Sequence, residues 1–146
     1  MQRDKTCVII GHRECYGVNA NVLEEEIVKL INLGVEEFLC GGMGEFDRLC
    51  AGTIDKLRTK YSHIRCVLVI PYLTSNLTRQ GQLYDCIEFP EYKSRDYRAR
   101  IAERNRHMVD KSAYAICYVT HAWGGAAKTL KYAKKRSLRI AYIHEN

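Results

Sequence analysis

The sequence predicts an α/β protein built in three layers, a mostly parallel sheet with helices on both faces. Three observations predict it. Short apolar, β-rich runs alternate with helical stretches along the whole chain. The runs are apolar at successive positions, as in strands buried on both faces. Several of them end in glycine-containing turns that lead directly into a helix, the connection that parallel sheets use.

Thr6 to Ile10 reads as a buried strand ending at Gly11. Asn21 is placed to cap a helix, with Glu24 as its partner three residues on. Leu23, Ile27, Leu30 and Ile31 follow at helical spacing, and Gly34 closes the helix. Phe38-Leu39-Cys40 is the next strand, cut off by Gly41-Gly42. A helix from about Glu45 carries Phe46, Leu49, Cys50, Ile54 and Leu57 on one face. Arg65 to Ile70 is a strand stopped by Pro71, the segment from Tyr72 to Tyr84 is polar and irregular, and Cys86 to Phe89 is a short strand before Pro90. A weakly amphipathic helix is expected over Tyr97 to Lys111, a strand over Tyr114 to Val119, a turn over Thr120 to Gly125, a helix over Ala126 to Lys135 and a last strand over Arg139 to Ile143. This is a Rossmann-like three-layer sandwich, expected to form one domain over residues 1–146.

Composition narrows the class. Hydrophobic residues make up 47% and charged residues 27%, the balance of a folded chain and not of a disordered one. No apolar run reaches a membrane-spanning length and the short run after the polar start is no signal-peptide core, so a cytoplasmic location is expected. The seven cysteines are scattered, without a C-x-x-C pair or zinc spacing. They read as reduced core residues, with Cys15 the least buried. No metal and no cofactor are expected. The net charge of +6 is spread out apart from Lys134-Lys135-Arg136 and the stretch from Arg95 to Arg106. Both stretches read as solvated helix faces, with no basic stripe interleaved with aromatics.

Ligands of such sheets bind beyond the carboxyl ends of the strands, where helix starts offer free N–H groups and favour phosphate. Three strand ends fit: Gly11-His12-Arg13, Gly41-Gly42-Met43-Gly44, and Thr120 to Gly125. All three are expected to project from one edge. Neither glycine turn is a P-loop, and Asp47 stands where a dinucleotide fingerprint has its last glycine, which disfavours an NAD-type dehydrogenase. Arg13 and Arg104 are candidate phosphate partners. Asp47 either accepts from ribose hydroxyls or favours the start of its helix. His12 and His121 are candidates for acid–base work or for packing. Trp123 either stacks on a base or covers the core.

Gly41-Gly42-Met43-Gly44-Glu45-Phe46-Asp47-Arg48-Leu49, Arg104-Asn105-Arg106-His107-Met108-Val109-Asp110 and Tyr118-Val119-Thr120-His121-Ala122-Trp123-Gly124-Gly125-Ala126-Ala127-Lys128-Thr129 together resemble the SLOG superfamily. More narrowly they resemble its DUF1273 or YpsA-like branch of bacteria and phages, whose opening is similar to Thr6-Cys7-Val8-Ile9-Ile10-Gly11-His12-Arg13. The resemblance implies a Rossmann-like fold that binds nucleotides or nucleotide-derived molecules, and a homodimer by analogy. The superfamily includes the Lonely Guy phosphoribohydrolases, the DNA-processing protein DprA and sensor domains for NAD-derived signals. The hydrolases' Glu-Arg-x-x-x-Met segment is similar to Glu103 to Met108, so Arg104 takes the place of their functional arginine. Their P-G-G-x-G-T-x-x-E motif overlays Trp123 to Lys131. Gly124 and Gly125 match, while Ala127, Lys128 and Lys131 replace glycine, threonine and the catalytic glutamate. A lysine opposes the positive charge that builds on ribose during N-glycosidic cleavage.

The expected function is therefore binding of a nucleotide or nucleotide-derived small molecule, as a sensor or sequestering module. The expected ligand residues are Gly11, His12, Arg13, Gly41, Gly42, Met43, Gly44, Asp47, Arg104, Asn105, Thr120, His121, Trp123, Gly124, Gly125 and Thr129, with no catalytic residue assigned. A nucleoside-monophosphate N-glycosidase is the first alternative and single-stranded nucleic-acid binding the second. Neither nucleic acid nor a membrane is expected as a partner.

Overall fold

A computed structural model describes residues 2–73 and 83–144. The middle of the segment expected to be irregular, 74–82, lies outside the described residues. Six strands form one parallel sheet: β1 (Thr6–Gly11), β2 (Glu37–Cys40), β3 (Arg65–Val69), β4 (Cys86–Glu88), β5 (Tyr114–Tyr118) and β6 (Arg139–Tyr142). Four α-helices are present among the described residues: α1 (Ala20–Asn32), α2 (Glu45–Leu57), α3 (Tyr97–Asp110) and α4 (Gly125–Lys135). The strand order is β4-β3-β2-β1-β5-β6. The chain winds outward from β1 in one direction and then in the other, so β1 and β5 flank the topological switch point.

The strands alternate in facing, and the two faces bury different helices. Cys7, Ile9, Phe38 and Leu68 pack with Leu23 and Ile27 of α1 and Phe46 and Ile54 of α2. Val8, Ile10, Leu39 and Val67 pack with Met108 and Val109 of α3 and Ala133 of α4. Each large apolar side chain taken from water contributes roughly 1.5–3 kcal/mol. This is the three-layer α/β sandwich the sequence predicts. The edge strands β4 and β6, with a neighbour on one side only, depart most from the expected two-sided burial.

Two local expectations are corrected. Asn19, not Asn21, caps α1; its Oδ1 accepts from the N–H groups of Asn21 at 2.8 Å and Val22 at 3.3 Å. The two asparagines are two residues apart, and only the one still in extended backbone can turn its side chain onto the first turn. The most exposed thiol is Cys86, not Cys15, because Cys86 lies on the edge strand while Cys15 is half-buried. The helix end is as expected: Gly34, at φ +108°, allows Gly34 N–H to reach Ile31 O and Val35 N–H to reach Leu30 O. No helix among the described residues is long and apolar enough to cross a membrane.

Candidate functional site at the switch point

The three expected strand ends meet around a cleft of about 620 Å³ at the carboxyl edge of β1 and β5. All the expected ligand residues line it except Gly42. Gly42 faces the core instead: at φ +67° it brings its Cα against the sheet, and a Cβ there would lie 2.5 Å from Leu68 Cδ1. Glu14, Tyr16, Ile101, Met108 and Tyr118 also line the cleft, and sequence reasoning passed them over. Ile101 and Met108 were within reach of it, since they share one helix face with Arg104 and Asn105 at spacings of three and four.

The loop after β2 is closed by its own side chains. Asp47 Oδ2, in the first turn of α2, accepts from Met43 N–H at 3.4 Å. Burial pushes the Asp47 carboxyl up to about 6, against the opposing pull of Arg104 and of the loop N–H groups. Glu45 N–H donates to Arg13 O at 2.8 Å, and Glu45 Oε2 accepts from Cys15 N–H at 3.2 Å. The first turn of this helix therefore carries two carboxylates of its own, of which Asp47 lines the cleft.

Arg104 holds the same loop from beneath. It is only 3% exposed, and its Nη1 donates to Val69 O at 3.0 Å and Gly41 O at 3.3 Å. Its Nη2 lies 3.3 Å from Met43 Sδ, and its Nε donates to Asn105 Oδ1 at 2.8 Å. A Cβ at Gly41 would lie 2.7 Å from the guanidinium carbon, and one at Gly44 would lie 2.8 Å from Arg13 Cα. The glycines here make room for protein.

The loop after β5 is open. Gly124, at φ +92°, is the N-cap of α4; no side chain caps the helix and its first turn has no acid. A Cβ at Gly125 would meet nothing within 4 Å. The N-terminal N–H groups of α4 and their partial positive charge face the cleft without an internal anion. Thr129, one turn in, donates its hydroxyl to Gly125 O at 2.8 Å. Arg13 is exposed at the rim and makes no ion pair among the described residues.

Three rings stack along this loop. His12 and His121 lie 3.8 Å apart between centroids at 13°, and His121 and Trp123 lie 3.9 Å apart at 18°. His12 Nε2 accepts from Thr120 N–H at 2.8 Å, which places its proton on Nδ1. Burial, and then His121, hold the His12 imidazole below its ordinary range. The stack is therefore built on a neutral ring. His121 Nδ1 is enclosed with no hydrogen-bond partner among the described residues, and Trp123 is 71% exposed. Lys131 lies on the exposed side of α4 outside the cleft lining, whose carboxylates are Glu14 and Asp47. Among the described residues no group of three His, Cys, Asp or Glu side chains gathers as a metal site.

Sheet order, switch-point cleft and glycine-headed helices define a Rossmann-like α/β domain. No protein-family model matches the chain. A UPF0398 protein of Halalkalibacterium halodurans is 27% identical over 130 residues, which cover 82% of this chain and 69% of that protein. Among solved structures, the fold is shared with DNA processing protein A (DprA) from Helicobacter pylori, at a TM-score of 0.66 and 14% identity over 96% of this chain. DprA from Streptococcus pneumoniae shares it at a TM-score of 0.55 and 12% identity over 93% of this chain. This chain spans 65% and 58% of those two solved chains. The UPF0398 relative and the two DprA folds are consistent with the resemblance of the motifs to the SLOG superfamily.

One expectation is overturned here. Nucleic acid was not expected as a partner, yet the Helicobacter pylori structure carrying this fold is described for its single-stranded DNA binding mode. The expectation rested on charge read along the chain, whereas a binding surface collects its cations from separate elements.

Proposed function

We propose that the switch-point cleft binds the phosphate-bearing unit of a nucleotide, with its phosphate on the N-terminal N–H groups of α4 and its base against Trp123. The observation that carries this reading is the open start of α4: uncapped, free of acids, and with room at Gly125 that no protein atom fills. Helix starts of this kind are ready-made anion sites. Arg13 at the rim supplies a forked donor for the same phosphate. The outer face of Trp123 offers a platform on which any base can stack. His12, Thr120, His121 and Thr129 shape the wall between the two. Gly11, Gly41, Gly44, Asp47, Arg104 and Asn105 hold the floor in position.

A second reading is single-stranded DNA binding, with the bound unit part of a chain. The likeness of fold to the Helicobacter pylori protein favours it.

Calorimetric titration with nucleoside monophosphates, ADP-ribose and NAD tests the first reading. At least one is expected to bind, and Trp123→Ala is expected to weaken it by about 1–3 kcal/mol, the worth of one base–aromatic stack. The fold should be unaffected, because the ring is largely in solvent. No binding by any member of the set at millimolar concentration sinks the reading.

A further inference from the structure

A second groove of about 450 Å³ runs between α3 and α4. Ile101, Asn105, Gly125 and Thr129 belong to it and to the switch-point cleft alike, so the two are continuous. The groove's other charged lining is Arg98, Arg106 and Lys128, with no carboxylate. No side chain of the three makes an ion pair or hydrogen bond among the described residues, and all three residues are exposed.

Helical spacing explains how they come together. Arg98, Ala102 and Arg106 are successive fourth residues and lie along one face of α3. Lys128 and Tyr132 are likewise four apart on α4 and line the opposite wall. At 1.5 Å per residue the two arginines are about 12 Å apart along the helix. A single phosphate seated at Gly125 leaves them unsatisfied. Three unpaired cations with an apolar floor and a tyrosine are the makings of a groove for unpaired nucleotides, in which phosphates meet the cations and bases or sugars meet Tyr132 and Ile101.

We propose that this groove continues the cleft as a second run of phosphate sites and carries the backbone of a single-stranded nucleic acid whose terminal unit sits at α4. The proposal rests on the cleft reading and names its ligand class: a phosphodiester chain, not a free mononucleotide. A groove between two packed helices admits one strand, whereas a duplex presents its phosphates on a convex surface.

The test uses thymidine monophosphate and a labelled oligothymidylate of about twelve nucleotides. Binding of both is measured between about 50 and about 200 mM salt, on the full chain and on the variant Arg98→Ala/Arg106→Ala/Lys128→Ala. The oligonucleotide is expected to bind at least about tenfold more tightly than the monophosphate at the lower salt. The variant should lose that advantage, bind the monophosphate unchanged, and lower the slope of log affinity against log salt by about 2, which is three cations at about 0.7 each.

Equal affinity for the two ligands overturns the proposal and leaves the cleft reading standing. An unchanged slope in the variant also overturns it. Oligonucleotide binding lost in the variant, with no monophosphate bound by either form, sinks the cleft reading and keeps the groove. No binding of either ligand ends both. Sedimentation of both forms covers the other occupant: a change of oligomeric state with oligonucleotide binding untouched makes the groove a contact between copies and overturns the proposal.

Discussion

The loops after β2 and β5 resemble each other in sequence. Both are glycine-rich, both leave the sheet at the same edge, and both open a helix. In the structure their backbones are used in opposite ways. Gly41, Gly42 and Gly44 are close to Arg104, Leu68 and Arg13, and Asp47 turns back to take an N–H of its own loop. Gly125 faces open space, Gly124 meets only the His121 ring at 3.9 Å, and no side chain caps the helix start behind them. A glycine pair before a helix thus marks either a tight place in the protein or an open one, the latter being where a ligand is proposed. What separates the two is whether the first turn carries its own carboxylate.

The largest expected effect comes from Arg104, which joins the first loop to the sheet. Arg104→Lys replaces a planar fork with a single ammonium that cannot reach Gly41 O and Val69 O together. A buried carbonyl left unmatched costs about 1–3 kcal/mol, so a loss of roughly 3 kcal/mol is expected in urea denaturation. A variant as stable as the parent that has lost only ligand affinity would make Arg104 a ligand residue and erase the contrast between the loops.

Gly44→Ala comes next. A Cβ 2.8 Å from backbone has nothing flexible to displace, so overpacking should cost about 1–3 kcal/mol, read in the same experiment. A variant of parental stability would show that this loop is looser than its contacts imply.

Much of this was legible in the sequence. The strands were, because continuous apolar runs such as Cys66 to Ile70 read as two-sided burial whatever their neighbours. So was the shared edge, since every strand of a parallel sheet points one way. The state of each loop was not. Asp47 had two readings, and the sequence shows neither the Met43 N–H that its carboxylate takes nor its place in the cleft wall. Arg104 looked like a phosphate partner because its counterparts, Gly41 and Val69, are 63 and 35 residues away and contribute carbonyls that no side-chain motif records. The α3/α4 groove was hidden for a related reason. Each of its helices alone reads as a solvated basic face, and the stripe exists only once Lys128 is opposite Arg98 and Arg106.

Asp47 also gives the first loop a pH signature. Its carboxyl is pushed up to about 6 in the folded chain, above its ordinary range near 3.8. Between those values the folded state keeps a proton that the unfolded state has released, so this group makes stability fall as pH rises through the window and adds no slope above it. Asp47→Asn keeps an acceptor for Met43 N–H but cannot titrate. Its stability relative to the parent should therefore improve steadily from about pH 4 to about pH 6 and then level off. Glu88 and Glu103, both held below their ordinary range, contribute slopes of the opposite sign that cancel in this difference. A flat difference across the window would mean that Asp47 is solvated and the loop less closed than its contacts show.

The smallest effect on the fold is expected at Gly125, and it is the sharpest test of the contrast. Gly125 is the first residue of α4, its backbone needs no positive φ, and a Cβ there meets nothing within 4 Å. Gly125→Ala should therefore leave stability unchanged or raise it by about 0.4–1 kcal/mol, through the lower entropy of the unfolded chain. The new methyl group would nonetheless occupy the space in front of the helix start, where the phosphate is proposed to approach. Stability and ligand affinity should move in opposite directions, which an indirect effect through the fold cannot produce. A thermal melt beside a calorimetric titration reads both quantities on one sample. If Gly125→Ala binds nucleotide as the parent does, the phosphate is not held at α4, and the open loop needs another occupant.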